Sequence, residues 1–413
     1  MTDTTNVPTR AEPGRWRMLL LTMFCYLFFY TGRHNFGWAT HQLADTLGIS
    51  FEKVGWISFA MLAGYAFGQL VNGLLADRLS PRHMILTGGI LSVLANICIS
   101  FSGSFTVILV LWGLNGYFQS MAWAPGSRII ANWWHNGNRG LAYGLYTMSA
   151  GLSSVVTYVF SILLVQDNWR NVFRVPVLFL AVAVVIFFIF VKNAPPGAGA
   201  SHPPTGDQPS PKNTFTVITG NARFLAVCLS LGFQSMARYA LIFWLPLFFI
   251  KSGSVWTSLL LPLGMAAGAI SFGFISDSVF RANRMASICT GMLLCSLLSG
   301  LIYMLEIRSG VAAGALIFCA GFFAYGPQAN FWPLAQELLG QRYVGTGTGV
   351  MNMTAYLFAA VGEPLMGKLI DMTGNKAVIF PTVAVIALLS AVTILFAMPR
   401  RPSPGSLSRI PAF

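Results

Sequence analysis

Apolar segments long enough to cross a bilayer follow one another along almost the whole of this 413-residue chain. Their approximate limits are 17–43, 54–76, 83–102, 105–133, 140–165, 173–192, 224–250, 254–276, 285–305, 310–338, 344–371 and 376–398. At about 1.5 Å of rise per residue, some 20 residues of helix span the roughly 30 Å of hydrocarbon. Only helices and closed barrels satisfy their backbone in lipid, and these segments are too long for barrel strands of roughly 9–11 residues. The expectation is an all-α membrane protein of twelve transmembrane helices. Composition agrees: 55% of residues are hydrophobic and only 9% charged, against about 25% charged in soluble domains. Arg10, Arg15 and Arg17 lead into a first segment too long for a signal-peptide core. The six cysteines (25, 98, 228, 289, 295, 319) fall within spans without paired spacing and read as small core residues.

The net charge of +13 is an orientation signal. One set of loops collects Arg10, Arg15, Arg17, Arg78, Arg82, Arg139, Lys192, Arg223, Arg281, Arg284, Arg342 and Arg400. The other holds Lys53, Arg170, Arg174, Lys251, Arg308, Lys368 and Lys376, several beside acids. The positive-inside rule then places both termini in the cytoplasm of a bacterial inner membrane. The stretch 193–213, rich in Pro, Gly and Ser, cannot span and reads as a flexible linker. It divides the chain into a bundle over 1–192, a linker over 193–222, and a second bundle over 223–413 with a short tail. Gly64, Gly68, Gly73 and Asp77 recur as Gly264, Gly268, Gly273 and Asp277, each 200 positions on. Such a repeat predicts two six-helix bundles related by a pseudo-twofold axis, a transporter plan. The loop sequence "GLLADRLSPR" (73–82) carries Gly73, Asp77 and Arg78 as a candidate gating motif and resembles one of the major facilitator superfamily.

Two arginines interrupt this apolar pattern. Arg33 lies mid-way through the first segment of one half, in "YTGRHNF", and Arg238 mid-way through the first of the other, in "ARYALIFWLP". A central arginine costs at least roughly 2.5–3.5 kcal/mol to insert, so it should face a cavity or a partner. The whole chain has 12 acids, and Glu363 is the clearest one deep within a span. One carboxylate cannot neutralise two arginines, which leaves a positive charge for a ligand. Paired guanidinium forks fit the oxygens of a doubly charged oxyanion, phosphate above all. Tyr26, Tyr30 and Arg33 fall at i, i+4, i+7, on one helical face.

With "SMAWAPGSRIIANWW" (120–134) and "YGP" (325–327), these motifs resemble the organophosphate:phosphate antiporters of that superfamily, over most of the chain. The resemblance implies that Arg33 and Arg238 grip a phosphoryl group. It implies that Tyr26, Tyr30, Tyr65, Trp123, Tyr325 and Tyr356 line the cavity. The departures are specific. Gln69 stands at a lysine of the sugar-phosphate carriers, Ala150 at a histidine, Phe243 at an aspartate, and His34 where lysine is frequent. Gln69, His34 and Glu363 therefore join the candidate substrate-binding set. Glu363 could bind a substrate ammonium, pair with an arginine, take up a proton, or bridge to Lys368; in the first case a small zwitterionic phosphonate suits the site.

No Gly-rich phosphate loop, no Cys/His metal cluster and no nucleophile–base–acid set is found. No enzyme, metal or cofactor is therefore expected. The expected activity is secondary transport of a small organic phosphate or phosphonate by a monomer, with alternating access and inorganic phosphate as the exchanged anion. A proton-coupled symporter of sugar acids or carboxylates, with Glu363 or His34 accepting the proton, and a transporter-like sensor of sugar phosphate are the alternatives.

Overall fold

The computed structural model describes residues 14–76, 79–134, 139–165, 168–196, 211–249, 255–281, 283–305, 310–340 and 343–398, where every regular element is helical. Asp77, Arg78, the central linker residues 197–210, and the topology cations Arg10, Lys251, Arg308, Arg342 and Arg400 lie outside the described residues.

The first set of helices comprises α1 (Arg15–Thr31), α2 (Phe36–Leu47), α3 (Phe51–Ala76), α4 (Pro81–Phe101), α5 (Phe105–Gln119), α6 (Trp123–Trp133), α7 (Arg139–Val165) and α8 (Asn171–Phe190). After α9 (Pro211–Gly220) come α10 (Ala222–Phe249), α11 (Leu260–Ser278), α12 (Arg284–Met304), α13 (Gly310–Tyr325), α14 (Gln328–Leu339), α15 (Val344–Thr373) and α16 (Ile379–Leu395). Among the described residues, ten helical stretches are long and apolar enough to cross a membrane. The other two expected crossings are α1–α2 and α15. The first is divided in two, and the second is a 30-residue helix diluted by Glu363, Lys368 and Asp371. The arrangement is consistent with twelve crossings.

Neighbour relations repeat down the chain. α3 packs on α5 and α11 on α13; α4 packs on α8 and α12 on α16; α1 packs on α7 and α10 on α15. The glycine repeat is one cause. A Cβ at Gly64 would fall 2.2 Å from Gly113 O, and one at Gly264 would fall 2.0 Å from Phe318 O, so equivalent helix pairs touch backbone to backbone. Gly73 and Gly273 meet nothing within 4 Å and take no part in this packing.

Three segments expected as single helices are broken mid-way: α1–α2 at 32–35, α5–α6 at 120–122, and α13–α14 at 326–327. A break inside a membrane persists only where other groups satisfy the freed backbone. At the first, Gly32 O accepts from Asn115 Nδ2 (2.9 Å) and Asn96 Nδ2 (3.1 Å). Buried prolines are handled in the same way. Pro176 cannot donate to Val172 O, and Asn35 Nδ2 does so instead at 2.8 Å. Pro246 cannot donate to Ile242 O, and Tyr158 Oη on α7 does so at 2.9 Å.

The expected linker is ordered at both ends. The Asn193 side chain donates to Ser80 Oγ (2.8 Å) and accepts from the Arg82 amide (3.0 Å), which ties the chain down where α8 ends. Its other end forms α9, whose Ile218 is buried. The cause is the apolar sequence "TFTVI", which composition averaged over the whole stretch conceals.

The two sets of helices meet closely at the face opposite the termini. A Cβ at Gly55 of α3 would lie 2.5 Å from Glu363 O of α15, and one at Gly367 would lie 2.2 Å from Phe51 O. Asp371, near the end of α15, accepts from the Phe51 (3.0 Å) and Glu52 (2.7 Å) amides, capping the first turn of α3 across the interface. With Tyr158 on Ile242 O, these contacts close that face.

Candidate anion site

Arg33 sits in the α1–α2 break and Arg238 lies mid-way along α10; they are 2% and 8% exposed. Each guanidinium is covered on its faces by tyrosines. The Arg33 Cζ lies 3.8 Å from the ring centroid of Tyr30 and 4.6 Å from that of Tyr65. Arg238 Cζ lies 4.5 Å from Tyr239 and 5.0 Å from Tyr325. Tyr356 closes the ring between the two sets of helices, 4.5 Å from Tyr65 and 5.8 Å from Tyr239. It lies within electrostatic reach of both arginines.

Cation–π contacts occupy guanidinium faces and leave the N–H edge free. Arg33 Nε, Arg33 Nη2 and Arg238 Nε are buried without a hydrogen-bond partner, as is His34 Nε2. His34 Nδ1 lies 3.3 Å from Ser154 Oγ, and its ring feels both arginines. Gln69, one turn along α3 from Tyr65, adds an unpartnered Nε2.

Among the described residues, no acid stands beside either arginine. Asp45 pairs with His41, Glu337 with Arg284, and Asp371 caps α3. Glu52 and Asp277 lie at helix ends. Glu363 is 1% exposed and accepts from Trp244 Nε1 at 2.8 Å. It lies seven residues beyond Tyr356, about 10 Å along the axis, in the closed face and away from the tyrosine ring. Lys368 is exposed and makes no ion pair with it. Among the described residues no three His, Cys, Asp or Glu could jointly hold a metal.

Residues 22–363 match the family model of the Major Facilitator Superfamily. The chain belongs to this superfamily. It is 27% identical to "Probable hexose phosphate transport protein" of Chlamydia muridarum, with 86% of this chain and 84% of that protein covered. It is 24% identical to "Membrane sensor protein UhpC" of Escherichia coli, with 96% and 94% covered. Among solved structures, an inward-facing, unoccupied bacterial homologue of the human lysosomal transporter Spinster superposes with a TM-score of 0.74 at 16% identity, covering 94% of this chain and 95% of that one.

On this superfamily frame the remaining expected residues divide. Tyr26 shares a 3.3 Å contact between hydroxyls with Tyr30 and touches Trp123, so both extend the site toward the terminal face. Asp277 is exposed at the end of α11. At that level Arg128 donates to Ala76 O and Leu79 O and closes the end of α3. Sequence reasoning missed Arg128, Tyr146, Tyr239 and Trp244. Adjacency to Arg238 in "ARY" was the available signal for Tyr239. Tyr146 gives none, because its place depends on how α7 packs against α6.

Proposed function

We propose that this membrane protein is a secondary carrier of a small organic phosphate or phosphonate anion, exchanged for inorganic phosphate across the bacterial inner membrane. The observation that carries this reading is two buried guanidiniums sharing one tyrosine ring, with edge donors unpartnered and, among the described residues, no acid beside them. A divalent oxyanion supplies the acceptors and charge that this arrangement lacks. Bound, it stabilises the form in which the two sets of helices close around it. Return of the empty carrier then requires the two sets of helices to close over arginines that lack a counter-charge, so exchange outpaces net flux. In this reading the bundles 1–192 and 223–413 rock about the site, both termini facing the cytoplasm.

The test is proteoliposomes loaded with radiolabelled phosphate and given external phosphate or phosphate esters. Labelled phosphate should leave only when an external anion is present. Arg33→Gln and Arg238→Gln should each lose about 2–5 kcal/mol of anion binding, at least about thirtyfold in apparent affinity. Exchange within twofold of wild type in either variant ends this reading. Uptake into phosphate-free vesicles driven by a pH gradient would instead establish proton symport. The similarity to a membrane sensor favours one other reading, a receptor for external organic phosphate. It predicts saturable anion binding with no exchange at all.

A further inference from the structure

We infer that the transported anion carries its negative charge on the phosphoryl group alone, with an organic part free of any further carboxylate or phosphate, and that Gln69 sets this limit. The inference rests on the proposed anion reading and follows from the charges around the site. Arg33 and Arg238 supply two positive charges, and a phosphoryl group ionised twice cancels both. The other unpartnered donors of the site add none. His34 Nε2 and Gln69 Nε2 are buried without a hydrogen-bond partner. An amide is neutral at any pH, and an imidazole of ordinary acidity is neutral at about pH 8.

Gln69 is placed to meet the organic part. It follows Tyr65 by one turn on the same face of α3, and Tyr65 lies over the Arg33 guanidinium at 4.6 Å. Its neighbour Asn72 is engaged, donating to Ser120 Oγ at 2.6 Å, whereas the Gln69 amide donor is not. From here α3 runs toward the terminal face, where Arg128 is spent on Ala76 O and Leu79 O. Ala76 lies seven residues beyond Gln69, about 10 Å along the axis. The aromatic residues on that side bring no charge: Tyr26 packs 5.6 Å from Trp123, and Trp123 stacks on Tyr146 with centroids 5.1 Å apart.

A third negative charge in the closed site would therefore lie beside a neutral amide. Taking an ion out of water without a counter-charge is penalised, and hydrogen bonds from neutral groups offset that penalty only in part. Hydroxyls on the organic part meet no such penalty, because the tyrosine oxygens and the Gln69 amide accept as well as donate. The site thus discriminates by charge and not by polarity. A monophosphate or phosphonate with a neutral remainder is accepted, and an anion with a carboxylate or second phosphate beside the first is held back. A cation at position 69 would remove the distinction.

The experiment is competition against phosphate self-exchange in proteoliposomes at about pH 8, well above the second phosphate pKa of about 6. The competitors are glycerol 3-phosphate and 3-phosphoglycerate, which share a carbon skeleton and differ by a hydroxymethyl group against a carboxylate. Glycerol 3-phosphate should inhibit at a concentration at least about tenfold lower. In Gln69→Lys this ratio should fall at least about fivefold; Gln69→Arg serves if the lysine variant shows no exchange. Equal or stronger inhibition by 3-phosphoglycerate in the wild type overturns the inference. So does a ratio that Gln69→Lys leaves unchanged, or one that the uncharged Gln69→Met shifts as far. Absence of phosphate self-exchange in the wild type is a different result, and it removes the carrier reading of the preceding subsection instead.

Discussion

A guanidinium in a membrane interior keeps its charge, so its surroundings reveal its purpose. Arg33 and Arg238 have aromatic faces against them and, among the described residues, no carboxylate, an arrangement that stabilises the cation without consuming its edge donors. A structural arginine is neutralised by an acid, as Arg284 is by Glu337 at 2.8 Å. The contrast between these residues is the strongest residue-scale argument for a ligand. Lysine would keep the charge at position 33 but lose both the planar fork and its stacking on Tyr30 and Tyr65. Arg33→Lys should therefore retain measurable exchange with apparent phosphate affinity reduced about tenfold, roughly 1.4 kcal/mol. Affinity equal to wild type would mean that charge alone matters there and that the fork is irrelevant.

At the scale of elements, prolines and breaks place unpaired carbonyls inside the membrane, and each answer to them also fixes a neighbour. Asn35 on Val172 O holds the break that presents Arg33. Tyr158 on Ile242 O joins α7 to α10 across the two sets of helices. That second bond forms only while the face opposite the termini is closed. Removing the hydroxyl should then cost the closed form about 1–3 kcal/mol and leave the open form unaffected. In Tyr158→Phe, spin labels at Thr46 and Thr373, both exposed on that face, should report a larger fraction of long distances than in the parent. The same distribution in both proteins would show that the bond does not bias closure.

At the scale of the molecule, the contact of α3 with α15 requires the glycines at 55 and 367, because larger residues could not approach a partner backbone so closely. The contact must separate if the site is to open toward that side. A cysteine pair at Phe51 and Asp371, whose carboxylate accepts from the Phe51 amide across this interface, oxidised to a disulfide, should abolish phosphate exchange, and reduction should restore it. Full exchange with the disulfide formed would exclude opening at this face. Cys98 is exposed and should be replaced first, so that the introduced pair oxidises alone.

The sequence by itself determined that this is a helical membrane protein of the major facilitator type. Hydropathy over some 20 residues is a local property, and an apolar segment in lipid has no alternative to a helix. It also singled out Arg33 and Arg238, since a permanent charge in such a segment stands out without any knowledge of packing. Tertiary structure decided the rest. Only packing shows that Tyr239 and Tyr356 complete one ring around both arginines, that Tyr146 backs Trp123, and that Glu363 answers Trp244 in the closed face. The same holds for the helix breaks: Gly32 hints at one, but its carbonyl is satisfied by Asn96 and Asn115, distant in sequence. Apolar length is encoded within each segment, whereas the partner of a buried polar group depends on which segments come together.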